Sequence, residues 1–283
     1  FVWYSAVNPP KKRVIGTFFT NAIWAVIIIS VASAMIGTYI MARRLVAISG
    51  GVTHACFGGL GLGCYLGVSP LLMAGVFAVA SALGVQWISE RHRVREDSAI
   101  AVVWSTGMAI GVLFVFLTPG FVPELNAFLF GNILDVTTAD LMAFAVYTLA
   151  LGAFFAWRFR EIVICAFDRD FARVAGLPVA MVTTVMTVMV ALCIVLTIRL
   201  VGIMLLMSMI SLPQMTAEVF TRRFRPLMFL SMAISSAGCL AGLILSVYID
   251  VPCSALIVIV LAALFASTRI ASAVASRRRR GGL

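Results

Sequence analysis

Residues 180–198 read AMVTTVMTVMVALCIVLTI, an apolar run without a charged side chain. A run of this length matches the roughly 20 residues that a helix needs to cross the hydrocarbon core of a bilayer. Its apolar residues are continuous, whereas those of a membrane barrel strand alternate with polar ones. Because backbone polar groups must be paired internally in lipid, and a helix pairs its own, the stretch predicts a membrane-spanning helix.

Runs of the same kind recur along the chain. Of its 283 residues, 63% are hydrophobic and 11% are charged, whereas about 25% of an ordinary soluble domain is charged. Nine apolar segments are expected, at about 17–42, 50–67, 70–90, 98–117, 138–158, 180–198, 201–215, 227–247 and 253–275. The second and seventh are short for a full crossing. We therefore predict an all-α, polytopic transmembrane bundle of eight to nine spans, forming one domain over residues 1–283.

The net charge of +10 comes from basic residues at the ends of the apolar segments. This placement indicates charge that orients a membrane protein and argues against nucleic acid as a partner. If residues 277–280 are cytoplasmic, nine spans put 17 of the 21 Lys and Arg on that side. Lys11, Lys12, Arg13 and Arg199 then fall outside, with Glu124, Asp135, Asp140 and Asp250. The acidic outer face either concentrates cations or reflects composition alone.

The second segment is rich in small residues, and residues 49–63 read SGGVTHACFGGLGLG. Small residues recur in it every four positions, at Gly51, Ala55, Gly59, Gly63 and Gly67. On a helix this spacing makes one stripe that lets another backbone approach closely. We therefore expect this helix to be central in the bundle.

His54 lies within the same segment and is the one histidine of two in an apolar stretch. Because an imidazole is costly in hydrocarbon, we expect it to face the bundle interior or a water-filled path. Neutral imidazole is also a ligand for zinc, manganese and iron. An interhelical hydrogen bond is the alternative interpretation.

Residues 159–179, FREIVICAFDRDFARVAGLPV, interrupt the apolar pattern with mixed charges. We predict a short amphipathic cytoplasmic helix, ending at Gly176 and Pro178, with Asp168, Phe171 and Ala172 on one face. It either lies on the membrane surface or docks into a groove of a soluble partner, and its mixed charge favours docking. The candidate docking residues are Phe167, Asp168, Arg169, Asp170, Phe171, Ala172, Arg173 and Gly176.

Two further positions are singled out. Pro213 lacks a backbone donor and is predicted to bend or end the seventh segment. Asp250 joins the last two spans, where it either caps the final helix or belongs to an outer gate.

Five stretches, in this order, resemble the permease subunits of metal-type ABC importers, which carry zinc, manganese or iron. They are MARRLVAISGGVTHACFGGLGLG (41–63), AFLFGNILDVTTADL (127–141), CAFDRDFARVAGLPV (165–179), VGIMLLMSMISLPQMTA (201–217) and YIDVPCSALIVIVLAALF (248–265). His54 lies at the family's histidine. The family's aspartate one turn earlier is Gly50 here, and its Pro-Ser-Gly reads Pro252-Cys253-Ser254.

The resemblance implies an ABC-3-type importer permease, a multi-pass protein of the bacterial inner membrane that is not itself an enzyme and holds no cofactor. It implies a dimer, ATP-binding subunits docked on residues 159–178, and an extracytoplasmic metal-binding protein. The candidate contacts for the transported metal are His54, Thr53, Cys56 and Asp250. The sequence contains no G-x-x-x-x-G-K-[ST] loop for ATP.

The alternative is a secondary transporter driven by an ion gradient. Such a protein is expected to carry acidic residues within the membrane. All eleven Asp and Glu residues lie at or near the ends of the expected spans.

Overall fold

The computed structural model of the chain describes residues 12–92, 94–119, 131, 133, 136–249 and 251–280. Nine helices lie within these ranges, and we number them in chain order. They are α1 (Lys12–Ala42), α2 (Val46–Leu66), α3 (Pro70–His92), α4 (Glu96–Leu117), α5 (Thr138–Phe167), α6 (Arg169–Val174), α7 (Val179–Glu218), α8 (Phe224–Ile249) and α9 (Cys253–Arg280). All except α6 are long and apolar enough to cross a membrane.

Ion pairs define one end of the bundle, which we call the basic end. Arg43, directly after α1, contacts Glu96 in the first turn of α4 at 2.9 Å. Arg169 of α6 contacts the same carboxylate at 3.1 Å, and Glu90 near the end of α3 at 3.7 Å. The ends of α1 and α3, the start of α4 and the short helix α6 therefore meet on one side.

The opposite end has its own ion pair. Arg199 Nε lies 2.7 Å from Asp140 Oδ1, in the first turn of α5. The predicted position of Arg199 and Asp140, away from the basic end, agrees with this contact. Glu124, Asp135 and Asp250 lie outside the described residues.

Helix α7 contains both the sixth and the seventh predicted segment. It is interrupted at Gly202, where φ is 78° and ψ is 172°, a conformation that glycine adopts without a steric penalty. Before this break, Thr187 Oγ1 donates to Gln86 at 2.9 Å, and Val195 lies against Gly75. This first half therefore runs antiparallel to α3, away from the basic end.

After Gly202 the chain returns. Gln214 Nε2 donates to the carbonyl oxygen of Ser33 at 3.2 Å, and Ile210 lies against Gly37. Leu205, nearer the break, lines the same small gap as Ile29. Because Ile210 and Gln214 both meet α1 nearer its basic end than Leu205 does, the second half of α7 runs parallel to α1. The eight long helices therefore cross the bundle nine times, as the nine apolar segments predict.

Pro213 does not end the helix, so that part of the prediction was wrong. Helix α7 continues past it to Glu218, and the break lies eleven residues earlier at Gly202. A proline leaves the carbonyl of the residue four positions earlier without its helical donor. Here the buried side chain of Gln214 donates to that carbonyl, on Met209, at 3.3 Å. The side-chain amide replaces the missing backbone donor, which lets the helix continue.

The small-residue stripe of α2 packs against two helices, as its spacing predicts. A Cβ atom added at Gly51 would overlap Ile100 of α4, and one added at Gly63 would lie 2.7 Å from the Cα of Pro70. Gly59 meets the backbone of Met73, and Ala55 contacts Gly107. Gly67 is the exception, because it adopts φ 67° and ends α2 with open space around it. It is a helix cap rather than a packing residue.

Candidate functional site

His54 lies where α2 meets α4, and its imidazole stacks on the indole of Trp104. The ring centroids are 4.7 Å apart and the planes differ by 1°. Close contacts flank the stack, with Gly51 against the Ile100 side chain and Ala55 against the backbone of Gly107. The imidazole is half-buried, and Trp104 is 39% exposed. Among the described residues no hydrogen bond reaches the imidazole, so the stack replaces the interhelical hydrogen bond that was the alternative interpretation.

Thr53 and Cys56 do not join His54 in this structure. Both side chains are fully buried. The Thr53 hydroxyl donates to the carbonyl of Ser49, and the Cys56 thiol donates to that of Val52 at 3.0 Å. Both groups are therefore bonded to the backbone of their own helix, and only His54 lies on the exposed face.

A methionine fills the space beside Gly50, where the resembled family has an aspartate. A Cβ atom at Gly50 would lie 2.8 Å from the Cε of Met207, on the second half of α7. A half-buried thioether therefore lies beside the position of the family's aspartate, which is one helical turn before His54. A thioether is a softer ligand than a carboxylate.

The described residues contain no cluster of three or more His, Cys, Asp and Glu side chains that could hold a metal ion. Asp250, the fourth candidate, lies outside them. At the end opposite to the basic end, a cavity of about 280 Å³ is lined by Val201, Leu205 and Cys253, among others. A single imidazole on an open face suits brief contact with a passing cation better than permanent binding, because a path must release what it binds.

Helix α6 is fixed to the basic end by one of its faces. Ala172 is fully buried, and Arg169 forms the ion pairs with Glu96 and Glu90. Asp168 caps the helix by accepting a hydrogen bond from the Phe171 amide at 2.9 Å. Gly176, with φ 71°, turns the chain toward α7.

The other face of α6 is exposed and partly apolar. Phe171 is 59% exposed and Val174 is 90% exposed, and Phe167 lies beside them at 62%. Asp170 and Arg173 form an exposed pair at 3.2 Å. The predicted grouping of Asp168, Phe171 and Ala172 on one face was therefore wrong, because Ala172 packs inward while Phe171 points outward. Residues 159–167 continue α5 beyond a distortion at Arg158, so the short helix begins only at Arg169.

Sequence reasoning missed Trp104, Met207 and Val174. The motif G-x-x-x-G at 107–111 could have indicated that α4 packs closely on α2, since Gly107 and Gly111 both meet its backbone. That packing would have brought Trp104, one turn earlier, toward His54. Nothing in the sequence places Met207 beside Gly50, because the reversal at Gly202 creates that contact.

A bundle of eight long apolar helices, with an anchored polar helix at its basic end, defines a multi-pass α-helical membrane protein. The chain belongs to the ABC 3 transport family, whose model matches residues 16–272. The resemblance noted in the sequence is thereby confirmed at the level of the family.

Two curated relatives are similar over most of their length. A probable metal transport system membrane protein of Chlamydia pneumoniae is 36% identical over 230 residues, which cover 79% of this chain and 78% of the relative. The manganese transport system membrane protein MntC of Halalkalibacterium halodurans is 29% identical over 254 residues, which cover 88% and 86%. Membership of a family of metal-transport membrane proteins places the chain in the cell membrane.

The fold also matches a solved structure. The chain superimposes on a chain of PsaBC from Streptococcus pneumoniae, solved in complex with Fab, with a TM-score of 0.77 and 25% sequence identity. The match covers 89% of this chain and 90% of the other. The all-α permease fold predicted from the sequence is therefore confirmed.

Proposed function

We propose that this chain is the membrane-spanning subunit of an ATP-driven importer of a divalent metal ion. Manganese and iron are the favoured cargoes, ahead of zinc. Two copies form the pathway, separate ATP-binding subunits dock at the basic end, and an extracytoplasmic protein delivers the metal at the opposite end.

The observation that carries this proposal is the two-sided helix α6. Its inner face is anchored by Ala172 and Arg169, and its outer face exposes Phe171 and Val174. Apolar side chains presented on a fixed short helix suit insertion into a groove of a soluble partner. An exposed apolar face at a membrane-protein end is otherwise costly, which is why we assign a permanent partner to it.

The half-buried imidazole of His54 supports the dimer. A histidine that faces lipid from a membrane helix is energetically unfavourable, so a second copy or a water-filled path should cover the α2–α4 face. Trp104 and the neighbouring residues of α4 are exposed on that face. Two such faces opposed across a symmetry axis would place two imidazoles along one path.

Cross-linking tests this interface. We expect Ala101→Cys, which is exposed on α4 one turn before Trp104, to give a disulfide-linked dimer under mild oxidation. Val146→Cys, 67% exposed on α5, is the matched control and should remain monomeric on the gel. The reverse pattern would place the interface on α5 instead.

The positions of the acidic residues argue against a gradient-driven transporter. The described ones are Glu90, Glu96, Asp97, Asp140, Glu161, Asp168, Asp170 and Glu218, and they lie near the ends of the membrane segments or on α6. A proton- or sodium-coupled carrier is expected to hold acids within the membrane.

The test is uptake of labelled Mn²⁺ into vesicles that contain the chain with its ATPase, with ATP supplied at the basic end. We expect uptake to require ATP hydrolysis and to persist when ionophores collapse the proton and sodium gradients. Uptake that needs a gradient and proceeds without the ATPase would instead support the secondary transporter.

A further inference from the structure

The parallel stack between His54 and Trp104 has a defined geometry that the proposed function does not use. Helices α2 and α4 approach so closely that a Cβ atom added at Gly58 would lie 2.8 Å from the carbonyl oxygen of Gly107. Ala55 also contacts Gly107, one residue from His54. Backbone-to-backbone contacts of this kind leave little freedom for the two helices to slide or separate. The distance between the two rings is therefore set by the fold.

The indole nitrogen of Trp104 also has a partner, on its own helix. Trp104 Nε1 lies 3.2 Å from the sulfur of Met108, one turn further along α4, and donates to it. A sulfur atom is a weak acceptor, but in an apolar setting it is a suitable partner for an indole N–H. Rotation of Trp104 would break this contact together with the stack.

A stacked imidazole has its plane fixed, because turning about its Cβ–Cγ bond would lose the face-to-face contact. A metal ion binds to an imidazole nitrogen in the plane of the ring, along its lone pair. A fixed ring plane therefore fixes the directions from which a cation can approach His54. Since the imidazole accepts or donates no hydrogen bond within the described residues, the indole is what orients it.

We infer that Trp104 is a positioning residue that orients the imidazole of His54 toward a divalent cation in the transport path. This inference rests on the proposed metal-transport function. The inference adds Trp104, a residue on a second helix, to the site. It also explains how the lone pair of His54 keeps a fixed direction although the imidazole has no hydrogen-bonded partner among the described residues. Trp104 itself binds no metal through a lone pair, because its indole nitrogen is a donor only.

A flat aromatic ring should preserve this role, whereas an aliphatic side chain should not. For Trp104→Leu we expect the apparent KM for Mn²⁺ to rise about 3- to 10-fold, the size expected from the loss of one aromatic pair. Trp104→Phe should restore most of the affinity because it can still stack. Trp24→Leu, the same change at a side chain 55% exposed on α1, should leave KM unchanged. The ATPase activity of the assembled complex should be the same in all four proteins.

A binding measurement separates this inference from the proposed function. Indole emission is measured in a chain that keeps Trp104 and has Phe at the other four tryptophans, with Co²⁺ alone as the probe. We expect quenching that saturates with Co²⁺ and disappears when His54→Ala is added. Quenching that persists after His54→Ala, or an unchanged KM in Trp104→Leu, would overturn the inference. Wild-type vesicles that take up none of Mn²⁺, Fe²⁺ and Zn²⁺ would instead overturn the proposed function, whatever the emission shows.

Discussion

The α2–α4 contact and the short helix α6 are built in opposite ways. In the α2–α4 contact, the two backbones touch because side chains are absent. The glycines that allow this approach are Gly58 and Gly61 on α2 and Gly107 and Gly111 on α4. At the second, a helix of six residues is held by what its side chains add, mainly the ion pairs of Arg169.

The two regions therefore tolerate different substitutions. A close backbone contact is damaged by added atoms and has nothing to lose by truncation, since glycine has no side chain to remove. An ion-paired helix is damaged by removing a charge, because the partners then remain partly buried without a counter-charge. The close backbone contact suits a site that must keep its geometry, whereas the position of α6 depends on charges that a single substitution can remove.

The largest effect should come from adding a single methyl group to the α2–α4 contact. The Cβ atom of Gly61→Ala would overlap the backbone of Gly111, which cannot move aside as a flexible side chain can. Overpacking of this kind costs about 1–3 kcal/mol. We expect a lower melting temperature in detergent and a lower yield of folded protein.

The matched control is Gly84→Ala on α3, where no atom lies within 4 Å of the added Cβ. It should be neutral or stabilise by roughly 0.5–1 kcal/mol, since alanine is the better helix former. Equal melting temperatures for the two variants would mean that the α2–α4 contact is looser than described.

The second effect concerns Glu96, which joins Arg43 and Arg169 at the basic end. In Glu96→Gln, both guanidinium groups lose a charged acceptor, and the Arg43 side chain is only 8% exposed. Hydrogen bonds to charged groups are worth about 1.5–3 kcal/mol each, and partial exposure puts the expected loss at the lower end of that range. The measurement is thermal unfolding, together with hydrogen exchange of the α6 amides.

Asp170→Asn is the control for that variant, because it removes the exposed pair with Arg173 within the same helix. Exposed pairs contribute about 0–1 kcal/mol. If Asp170→Asn loosened α6 as much as Glu96→Gln, the anchoring role of Glu96 would be wrong.

Sequence reasoning succeeded for features that depend on local periodicity. The apolar runs gave the crossing segments, and the four-residue spacing of Gly51, Ala55, Gly59 and Gly63 gave the close packing of α2. Both signals exist because a helix repeats every 3.6 residues. The position of Arg199 at the far end followed from counting crossings.

Sequence reasoning failed where contacts between particular side chains, rather than helical periodicity, decide the outcome. Pro213 was expected to break its helix, but the Gln214 side chain restores the lost hydrogen bond, and the break occurs at Gly202 instead. Ala172 was expected on the same face as Phe171. Successive residues of a helix are 100° apart, so on a helix of six residues tertiary packing decides which face turns inward. The stack of His54 on Trp104 joins residues 50 positions apart, and no local pattern contains it.

The third effect should be confined to partner binding. Phe171→Ala removes a side chain that is 59% exposed, so the fold should be unaffected. Buried aromatic anchors at interfaces contribute about 2 kcal/mol or more, which corresponds to a loss of affinity for the ATPase of roughly 30-fold or more. Co-purification and titration with the ATPase measure it.

Phe229→Ala, the same change at a side chain 62% exposed on α8, is the control and should bind the ATPase normally. Normal binding by Phe171→Ala as well would remove the main support for docking on α6.

The smallest effect should come from the ion pair at the opposite end. Asp140 also accepts from the Thr137 hydroxyl at 2.7 Å, so Asp140→Asn leaves the cap of α5 nearly intact while Arg199 loses its counter-charge. Arg199 is 46% exposed, and a pair of this kind is worth about 0–1 kcal/mol and is screened by salt.

The loss of this pair should therefore change the local charge rather than the fold. Without its counter-charge, Arg199 repels incoming metal ions at low ionic strength, at the end of the bundle that holds the 280 Å³ cavity. We expect a modest fall in Mn²⁺ uptake that disappears at high salt and that Arg199→Gln, in the same background, reverses. A loss of uptake that does not depend on salt would instead mean that the pair holds the turn at Gly202 in place. This end of the bundle would then have a fixed geometry, as the α2–α4 contact does.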